Sequence, residues 1–593
     1  MVAIRHRPNR PNFPIFSIGN MKLIHQKIIV IACCALSLCV PFGQATAATV
    51  DGAGEVDTSK PKDSGLTDQM LYQYLMSEIA GQRGRTGLAL KGMIDLAQRT
   101  RDPRLARRAV EIAFQARQMD AALESATLWQ ELDPESSIAR QALATVAGSQ
   151  GTLEATKLNL QQLLAQPKRT AGVLMQLPGL LSRIADKAAV VATVRELTTP
   201  YRQFPEAYFA IAQASIVAKD RLAALAAIDE ADKRRPGWTQ AAILKSQILR
   251  EASEENASNF LKQFLVSYPE AADVRVALAR LLASQKGYLE AREEFRRAMK
   301  LKPDDAEIPY AIGLLSQQIE DYTDADIQFK RVVEIKPGDT SPVFFNLGSV
   351  AEAQKRPADA IEWYSKVKGG DYFVTAQLKI AGIIAKRDGM PMGRKFLQEA
   401  QAAQSDAPET RIQLILAEAQ LLRDAKAFNE AFGALSDAIN KYPGTADLLY
   451  DRAMVAEKIN KFDVLEADLR KVIELKPDHA HAYNALGYTF AERNKRLDEA
   501  YTLVQKALSL SPDDAFIQDS LGWVQYRSGR VDEALVTLKK AYQTRRDPEI
   551  AAHLGEVLWA KGERAEALKL WQAALMENPE NDLLRTVMAK FKP

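Results

Sequence analysis

A repeating apolar signature close to 34 residues long runs through this chain about fifteen times between Met70 and Pro579. A unit of this length holds two short helices, which cannot bury their apolar faces alone and must stack on neighbouring units. The period therefore predicts a series of stacked helical hairpins. The clearest repeats place small and apolar residues at matching positions near the C-terminus: Leu486, Gly487, Ala500, Val504 and Ala507; Leu521, Gly522, Ala534, Leu538 and Ala541; and Leu554, Gly555, Ala567, Trp571 and Ala574.

Three positions of the repeat have identifiable physical roles. Gly or Ala at the eighth place, as at Gly487 and Gly522, lets the two helices of a hairpin approach closely, because a larger side chain would overpack the contact. Proline near the thirty-second place ends the second helix. Aspartate often follows that proline, as in Pro512-Asp513-Asp514, where it can cap the next helix. Together these positions predict an all-α, superhelical solenoid.

This spacing resembles the tetratricopeptide repeat, whose pattern has Trp or Tyr, Leu-Gly, Tyr, Ala, Phe or Tyr, Ala and Pro at these places. The resemblance covers about four-fifths of the chain. Two units match loosely. One opens near Ala171 and has Pro178 inside its first helix, and the other opens near Thr375 and matches only around Gly389 and Leu397. These units are either register breaks or points where the superhelix bends.

The same patterns divide the chain into four parts. Residues 1–47 are predicted to be a leader and signal peptide, and residues 48–66, which are polar and contain Gly and Pro, a flexible spacer. Residues 67–580 form the predicted solenoid. Residues 581–593 are predicted to form an amphipathic helix that caps the open end of the array.

The segment from Met21 has the features of a secretory signal: a basic start, an apolar core from Ile28 to Val40, and small residues ending at Ala47. Residues 1–20 are either an extended basic leader or the product of an unused upstream start, and we favour Met21 as the start. Cleavage after Ala47 would remove all three cysteines, Cys33, Cys34 and Cys39. We therefore expect export to the periplasm. Acylation at one of these cysteines, with an outer-membrane anchor, is the alternative, although neither Cys33 nor Cys39 has a good lipoprotein context.

The charge balance argues against a nucleic-acid partner. Residues 1–47 contain five of the 78 Lys and Arg residues and no acidic residue, which leaves 73 basic against 75 acidic residues and a formal charge of −2. Both signs are interspersed, so the sequence contains neither the basic stripe that nucleic acid requires nor a polybasic patch for membranes. Membrane association is expected only if a signal-region cysteine is lipidated.

The motifs of catalysis and metal binding are absent from the sequence. It has no Gly-rich phosphate loop and no Gly-x-Ser-x-Gly elbow, because Gly487, Gly522 and Gly555 occupy packing positions. His479 and His481 lie two residues apart at a helix start and point to different faces, so helix capping or groove lining is the simpler role. The sequence thus predicts no enzyme, no cofactor and no metal.

A binding groove is the better candidate for a functional site. The resemblance to tetratricopeptide repeats implies that places 2, 5, 9, 12 and 13 of each unit face a concave groove. The alternative is that these side chains pack between adjacent repeats. In the last four units the large aromatic, polar and charged residues selected as groove residues are Tyr450, His481, Asn484, Tyr488, Phe516, Asp519, Trp523, Tyr526, Arg527 and Trp559. We expect alanine at Trp523 and Tyr526 to weaken partner capture without unfolding the array.

Two segments near the C-terminus, Asn484-Ala-Leu-Gly-Tyr488 and Asp519-Ser-Leu-Gly-Trp523, resemble a family of proteobacterial envelope proteins. That family is similar to the outer-membrane lipoprotein that partners a periplasmic carboxy-terminal processing protease. The resemblance implies a non-enzymatic scaffold that binds the protease and delivers peptidoglycan hydrolases to it. Two alternatives remain: a structural component of an envelope machine that exports polysaccharide or secretes proteins, and an enzyme without a recognisable motif.

Overall fold

The computed structural model describes residues 67–149, 153–167, 170–182, 184–336 and 340–591. The leader, the signal peptide with its cysteines and the spacer lie outside these residues, so what was inferred for them remains a prediction. Within the described residues the regular secondary structure is helical, and no strand is present. No helix in this part of the chain combines the length and apolar character needed to cross a bilayer.

Contacts between Cα atoms divide the described chain into an N-terminal unit, residues 67–321, and a C-terminal unit, residues 322–591. The described helices of the N-terminal unit are α1 (Asp68–Gln82), α2 (Thr86–Thr100), α3 (Pro103–Gln115), α4 (Met119–Leu132), α5 (Ser137–Ser149), α6 (Leu153–Leu164), α7 (Thr170–Leu180), α8 (Lys187–Thr198), α9 (Pro205–Val217), α10 (Arg221–Arg234), α11 (Thr239–Arg250), α12 (Glu254–Ser267), α13 (Ala272–Ser284), α14 (Tyr288–Leu301) and α15 (Glu307–Gln318). A short 3₁₀ turn, Thr199–Tyr201, follows α8.

The described helices of the C-terminal unit are α16 (Tyr322–Ile335), α17 (Ser341–Ala353), α18 (Pro357–Ser365), α19 (Phe373–Asp388), α20 (Met390–Ala403), α21 (Pro408–Asp424), α22 (Phe428–Lys441), α23 (Ala446–Lys458), α24 (Phe462–Leu475), α25 (Ala480–Glu492), α26 (Leu497–Leu510), α27 (Ala515–Arg527), α28 (Val531–Thr544), α29 (Pro548–Ala560), α30 (Arg564–Glu577) and α31 (Asp582–Lys590). Within each unit the helices pair in order, as α25 contacts α26, and these pairs run from α1 with α2 to α13 with α14 and from α17 with α18 to α29 with α30. The prediction of an all-α array of repeated hairpins is therefore confirmed.

The eighth-place glycines lie where the two helices of a hairpin meet. A Cβ atom at Gly487 would come within 2.6 Å of Val504 Cγ2, and one at Gly522 within 2.5 Å of Leu538 Cγ. At Gly555 it would come within 2.0 Å of Trp571 Nε1. The close approach predicted from the repeat is thus present in three consecutive hairpins, and any larger residue would push the helices apart.

The predicted aspartate caps are partly confirmed. Asp514 caps α27, because its carboxylate accepts hydrogen bonds from the backbone N–H groups of Phe516 at 2.8 Å and Ile517 at 3.2 Å. At the preceding hairpin the prediction pointed to the aspartate after Pro477, but the capping residue is His479. Its Nδ1 accepts a hydrogen bond from the backbone N–H of Ala482 at 3.1 Å. The histidine occupies the N-cap position of α25, which leaves no capping role for Asp478.

The loosely matching unit near Thr375 is also a hairpin, built with a tighter turn. Gly389 alone separates α19 from α20, with φ 97° and ψ 156°, a backbone conformation that favours glycine. Gly393 lies at the helix contact, where a Cβ would come within 2.5 Å of the Ala381 carbonyl oxygen. The glycine at the hairpin contact has therefore moved from the first helix to the second, which explains why the repeat signature is weak here.

The last helix, α31, packs on the final hairpin. Its Leu584 and Val587 belong to the same buried apolar cluster as Leu558 and Trp571. Asn581 caps α31, because its side-chain oxygen accepts a hydrogen bond from the Leu584 backbone N–H at 3.0 Å. The division of the whole chain into leader, spacer, solenoid and cap remains a prediction.

Candidate functional site

Three first helices of successive hairpins, α25, α27 and α29, contact one another in order. We call these three helices the first-helix layer. The second helices α26, α28 and α30 make no comparable contact with one another. Because stacked hairpins curve toward the layer in which the helices lie closer together, this layer forms the concave side of this part of the array.

The centre of the first-helix layer is a buried histidine with three aromatic and acidic neighbours. Asp519 Oδ2 lies 2.8 Å from His553 Nδ1, and the Tyr488 hydroxyl lies 3.5 Å from His553 Nε2. The Trp523 ring stacks on the imidazole at a centroid distance of 4.3 Å and an angle of 22°. All four side chains are buried. Side chains of α25, α27 and α29 thus contact one another in one buried group. We call Tyr488, Asp519, Trp523 and His553 the central group.

Trp523 connects this group to the partly exposed edge of the layer. Its indole N–H donates a hydrogen bond to Glu492 Oε2 at 3.0 Å. The Tyr526 ring lies 5.4 Å from the Trp523 ring, and the Arg527 guanidinium carbon lies 5.7 Å from it, within the range of a cation–π contact. Tyr526, Arg527 and Glu492 are each only partly buried, so they are the members of this group that a partner can reach.

Carboxylates surround the buried group. Burial raises the pKa of the Tyr488 phenol well above its usual value, and the nearby carboxylates of Glu549, Glu492, Asp519 and Glu457 raise it further. Tyr488 therefore stays protonated and is a hydrogen-bond donor at neutral pH. We call these four carboxylates the acidic wall.

The buried histidine carries a positive charge near neutral pH. Burial alone would lower the pKa of His553, but the hydrogen-bonded Asp519 carboxylate outweighs it and, with Glu549 and Glu492, raises this pKa to about 9. Burial raises the pKa of the Glu549 carboxyl to about 8, against the opposing effect of His553; Asp519 and Asp547 raise it as well, and Lys458 lowers it. Glu549 is therefore mostly protonated at pH 7, and Glu457 pairs with Lys458 at 3.7 Å, so Glu492 is the ionised member of the acidic wall that has no ion-pair partner among the described residues.

Four buried acceptors in this layer have no donor among the described residues. They are the side-chain oxygens Oδ1 of Asn484, Oδ1 of Asp519, Oε1 of Gln518 and Oε1 of Gln525. Asn484 lies one turn before Tyr488 on the same face of α25, because residues four apart in a helix lie above one another. The first-helix layer therefore has buried acceptors for which the described residues supply no donor.

The structure corrects the exposure expected for four of the predicted groove residues. Asn484, Tyr488, Asp519 and Trp523 are buried, with only 2% of Tyr488 and 5% of Trp523 exposed. The reason is that consecutive first helices pack directly on each other, so places 5 and 9 fill the space between repeats. Substitution of Trp523 would therefore disturb the packing as well as any binding. The binding role of these residues stays a prediction.

The other six predicted residues are at least partly exposed, but they are dispersed. Tyr450 lies beside His479, with ring centroids 5.0 Å apart, and His481 is exposed next to them. Arg545 lies over the Phe516 ring at 4.8 Å. Trp559 belongs to a separate group at the end of the array, 6.1 Å from Trp571 and 5.7 Å from Phe591. The layer therefore brings Tyr526 and Arg527 close to the central group and leaves Trp559 outside it.

His553 is the residue that sequence reasoning missed. It does not fall at one of the places that the repeat assigns to the groove. The available signal was its separation of 34 residues from Asp519, one full repeat, which puts the two side chains on neighbouring first helices. Within the described residues no group of three His, Cys, Asp or Glu side chains could hold a metal ion.

A second surface, on the N-terminal unit, has the opposite chemistry. A cavity of about 260 Å³ lies between the first helices α3 and α5. We call it the apolar notch. At its edge, Phe114 is 39% exposed and Ile138 53% exposed. Its lining residues are Val110, Phe114, Ile138, Gln141, Ala142, Thr145 and Val146.

Comparison with known proteins agrees with the repeat pattern. Family models described as tetratricopeptide repeat match residues 250–306, 450–515 and 525–591. The TPR repeat-containing protein PA4667 of Pseudomonas aeruginosa is 35% identical to this chain over 509 residues, which are 85% of each protein. The mitochondrial import receptor subunit TOM70 of Homo sapiens is 25% identical over 185 residues, 29% of this chain and 30% of that protein.

A solved structure of Naa15/Naa10 bound to HypK-THB is also similar: 88% of this chain and 96% of that chain align at 11% identity, with a TM-score of 0.35. A TM-score this low adds nothing to the assignment, which depends on the repeat models and on the relative at 35% identity. None of the family matches indicates an enzymatic family. The chain therefore belongs to the tetratricopeptide-repeat family, a scaffold fold for protein–protein interactions.

Proposed function

We propose that this chain is a non-enzymatic scaffold of the periplasm that holds segments of other proteins on its first-helix layer. We further propose that it partners a carboxy-terminal processing protease and delivers peptidoglycan hydrolases to it. The secretory signal pattern of residues 21–47 supports the location, and the resemblance of the C-terminal repeats supports the protease partnership. An outer-membrane anchor would follow if a signal-region cysteine is acylated.

The observation that carries the proposal is the combination of a rigid layer with partly exposed aromatic side chains at its edge. Tyr526 is partly exposed with its ring 5.4 Å from the buried Trp523 ring, and Phe516 is partly exposed on the same helix. Aromatic side chains supported by a packed layer lose little conformational freedom on binding and are enriched at binding hot spots. Several such contacts along one layer sum to useful affinity even if each is weak.

The proposal is tested by reconstitution. A purified carboxy-terminal processing protease and a purified peptidoglycan hydrolase from the same cell are mixed with and without this chain, and hydrolase cleavage is followed over time. We expect the chain to raise the rate of hydrolase cleavage about tenfold or more. A tenfold change corresponds to a free-energy difference of about 1.4 kcal/mol. Replacing both Phe516 and Tyr526 with alanine should remove most of this acceleration.

A matched control is Val536→Ala on the second helix α28, where the side chain is 72% exposed and distant in the repeat from the first-helix layer. This variant should accelerate cleavage as the unmodified chain does. Equal cleavage rates with and without the chain would contradict the protease partnership. Full acceleration by the Phe516 and Tyr526 double variant would contradict the assignment of the binding layer.

A further inference from the structure

Among the described residues, the first-helix layer has buried hydrogen-bond acceptors without a donor and two partly exposed carboxyl groups, those of Glu492 and Glu549, without an ion-pair partner. We propose that the acidic wall binds a cationic side chain, Lys or Arg, carried by a polypeptide that lies on this layer. The inference rests on the proposed function in one respect, namely that the layer holds a polypeptide.

Two hydrogen-bond donors of the central group are already used by carboxylates. Trp523 donates its indole N–H to Glu492, and His553 Nδ1 lies 2.8 Å from Asp519 Oδ2. The Tyr488 hydroxyl lies 3.5 Å from the remaining imidazole nitrogen. The indole N–H of Trp523 and the Nδ1–H of His553 are thus both directed at carboxylates of the acidic wall.

Several carboxyl and amide oxygens of this layer, in contrast, have no hydrogen-bond donor or ion-pair partner among the described residues. Neither Glu492 nor Glu549 has an ion-pair partner among the described residues, and both are partly exposed. Behind them, Oδ1 of Asp519 is buried without a donor. Asn484 is an independent observation, because it is not acidic: its side chain is 7% exposed, and its oxygen also lacks a donor. It lies one turn from Tyr488, on the face of α25 that meets the acidic wall.

Lysine and arginine carry the donors that the unpartnered acceptors require. Both side chains carry several N–H donors, no acceptor and one positive charge. Their stems can lie against the partly exposed ring of Tyr526, and their charge can interact with an aromatic face. An anionic segment would be repelled by the ionised carboxylates of the acidic wall, and an apolar side chain would leave the buried acceptors unpaired. The pattern thus selects a cationic group over the other classes of side chain.

The electrostatics of Glu549 agree with this assignment. Burial raises the pKa of its carboxyl to about 8, and the negative charges of Asp519 and Asp547 act in the same direction. A cation placed beside Glu549 would relieve this unfavourable charge and lower that pKa. Binding at pH 7 should therefore release a proton, which calorimetry in buffers of different ionisation enthalpy measures directly.

The test uses the whole chain and a defined peptide. The probe is a twelve-residue peptide with three Gly-Ser-Leu-Lys repeats and blocked termini, and its counterpart has every lysine acetylated. Isothermal titration calorimetry measures both. We expect the lysine peptide to bind about tenfold more tightly than the acetylated one, and to lose this advantage when Glu492 and Glu549 are both replaced by glutamine.

The matched control is the double variant Asp478→Asn and Asp513→Asn. It changes the net charge by the same amount, but both residues are exposed in turns between hairpins. This control should bind the lysine peptide within about twofold of the unmodified chain. A further variant at the proposed site, Glu549→Lys, places a positive charge within the acidic wall. It should abolish the preference for the lysine peptide over the acetylated one. Circular dichroism confirms that each variant is folded.

The outcomes separate this inference from the proposed function. If lysine and acetylated peptides bind equally, or if the glutamine variant binds like the control, the cation site is wrong even when the chain accelerates proteolysis. If the lysine peptide binds through Glu492 and Glu549 but proteolysis is not accelerated, the cation site stands and the protease partnership is wrong. Failure of the lysine peptide to bind at all also overturns the inference.

Discussion

The first helices are spaced differently in two regions of the molecule. In the first-helix layer, α25, α27 and α29 contact one another, and Tyr488, Trp523 and His553 fill the space between them. In the N-terminal unit, α3 and α5 leave the apolar notch of about 260 Å³. The same repeat therefore yields a filled, charged surface in one region and an open, apolar one in the other.

The difference comes from side-chain size and polarity. Several residues that line the notch, among them Val110 and Ala142, have short side chains, and its one aromatic residue, Phe114, is 39% exposed at the edge. The first-helix layer instead has large buried rings, and a buried ion pair, Asp519 with His553, joins α27 to α29. We infer that the filled layer is rigid and selective for charge, whereas the open notch can adapt to apolar side chains of different shape.

The largest expected effect comes from breaking the filled layer at its ion pair. Asp519→Ala leaves the buried His553 imidazole without its partner, which should lower the free energy of unfolding of the surrounding hairpins by about 3 kcal/mol. Hydrogen exchange of amides in α27 and α29 measures this loss locally, since repeat arrays unfold in parts. The control Ile138→Ala, at the exposed edge of the apolar notch, should change local stability by less than about 1 kcal/mol. Unchanged protection in α27 and α29 would show that the ion pair does not hold the layer.

A smaller effect is expected from disturbing the hairpin contact that supports the layer. Gly555→Ala places a Cβ within 2.0 Å of Trp571 Nε1 and should destabilise the last hairpins by about 2 kcal/mol through overpacking. Gly433→Ala is the matched control, because no atom lies within 4 Å of its Cβ position in α22. That control should stabilise its helix by about 0.5–1 kcal/mol. Urea denaturation measures the change in the free energy of unfolding of each variant. A Gly555→Ala variant that is more stable than the unmodified chain would contradict the close approach of the two helices at Gly555.

The filled layer should also respond to pH, whereas no titrating group lines the apolar notch. His553, which faces Asp519 on α27, Tyr488 and Glu492 on α25 and Glu549 on its own helix, has a pKa raised to about 9. Glu549, which faces His553, Asp519, Asp547 and Lys458, has a pKa raised to about 8.

Both groups bind protons more tightly in the folded chain than in the unfolded one. The stability that His553 contributes is therefore complete below about pH 6.5 and is lost as the pH rises through about 9. For Glu549 the loss spans pH 4.5 to about 8. We expect urea midpoints to fall between pH 6 and pH 9, and to fall less in Glu549→Gln. An equal fall in the two proteins would exclude Glu549 as a source of the effect.

The smallest effect is expected from filling the apolar notch. Ala142→Leu adds apolar volume to a cavity that the surrounding chain leaves open, so stability should change by less than about 1 kcal/mol. An apolar fluorescent dye that binds exposed hydrophobic surface should bind less to this variant. Gln162→Leu adds a similar side chain at an exposed position of α6 and controls for added apolar surface. Undiminished dye binding by Ala142→Leu would show that the notch is not an open apolar site.

Much of the fold could be predicted from the sequence because each hairpin depends on local spacing. Gly487, Gly522 and Gly555 lie at the predicted helix contacts, and Asp514 caps the helix that follows it. A repeat interacts mainly with its immediate neighbours, so a period of 34 residues carries enough information to specify the hairpins and their order. The same reasoning located the three helices of the candidate site.

The tertiary structure decided how deep each side chain of that site lies. Trp523 and Tyr526 are both groove residues by their repeat position, yet only Tyr526 remains partly exposed. His553 joins Asp519 across one full repeat, a pairing that the sequence of either unit does not show. The physical reason is that exposure and pairing depend on the distance between neighbouring first helices, and that distance is set by how the side chains of adjacent repeats pack together.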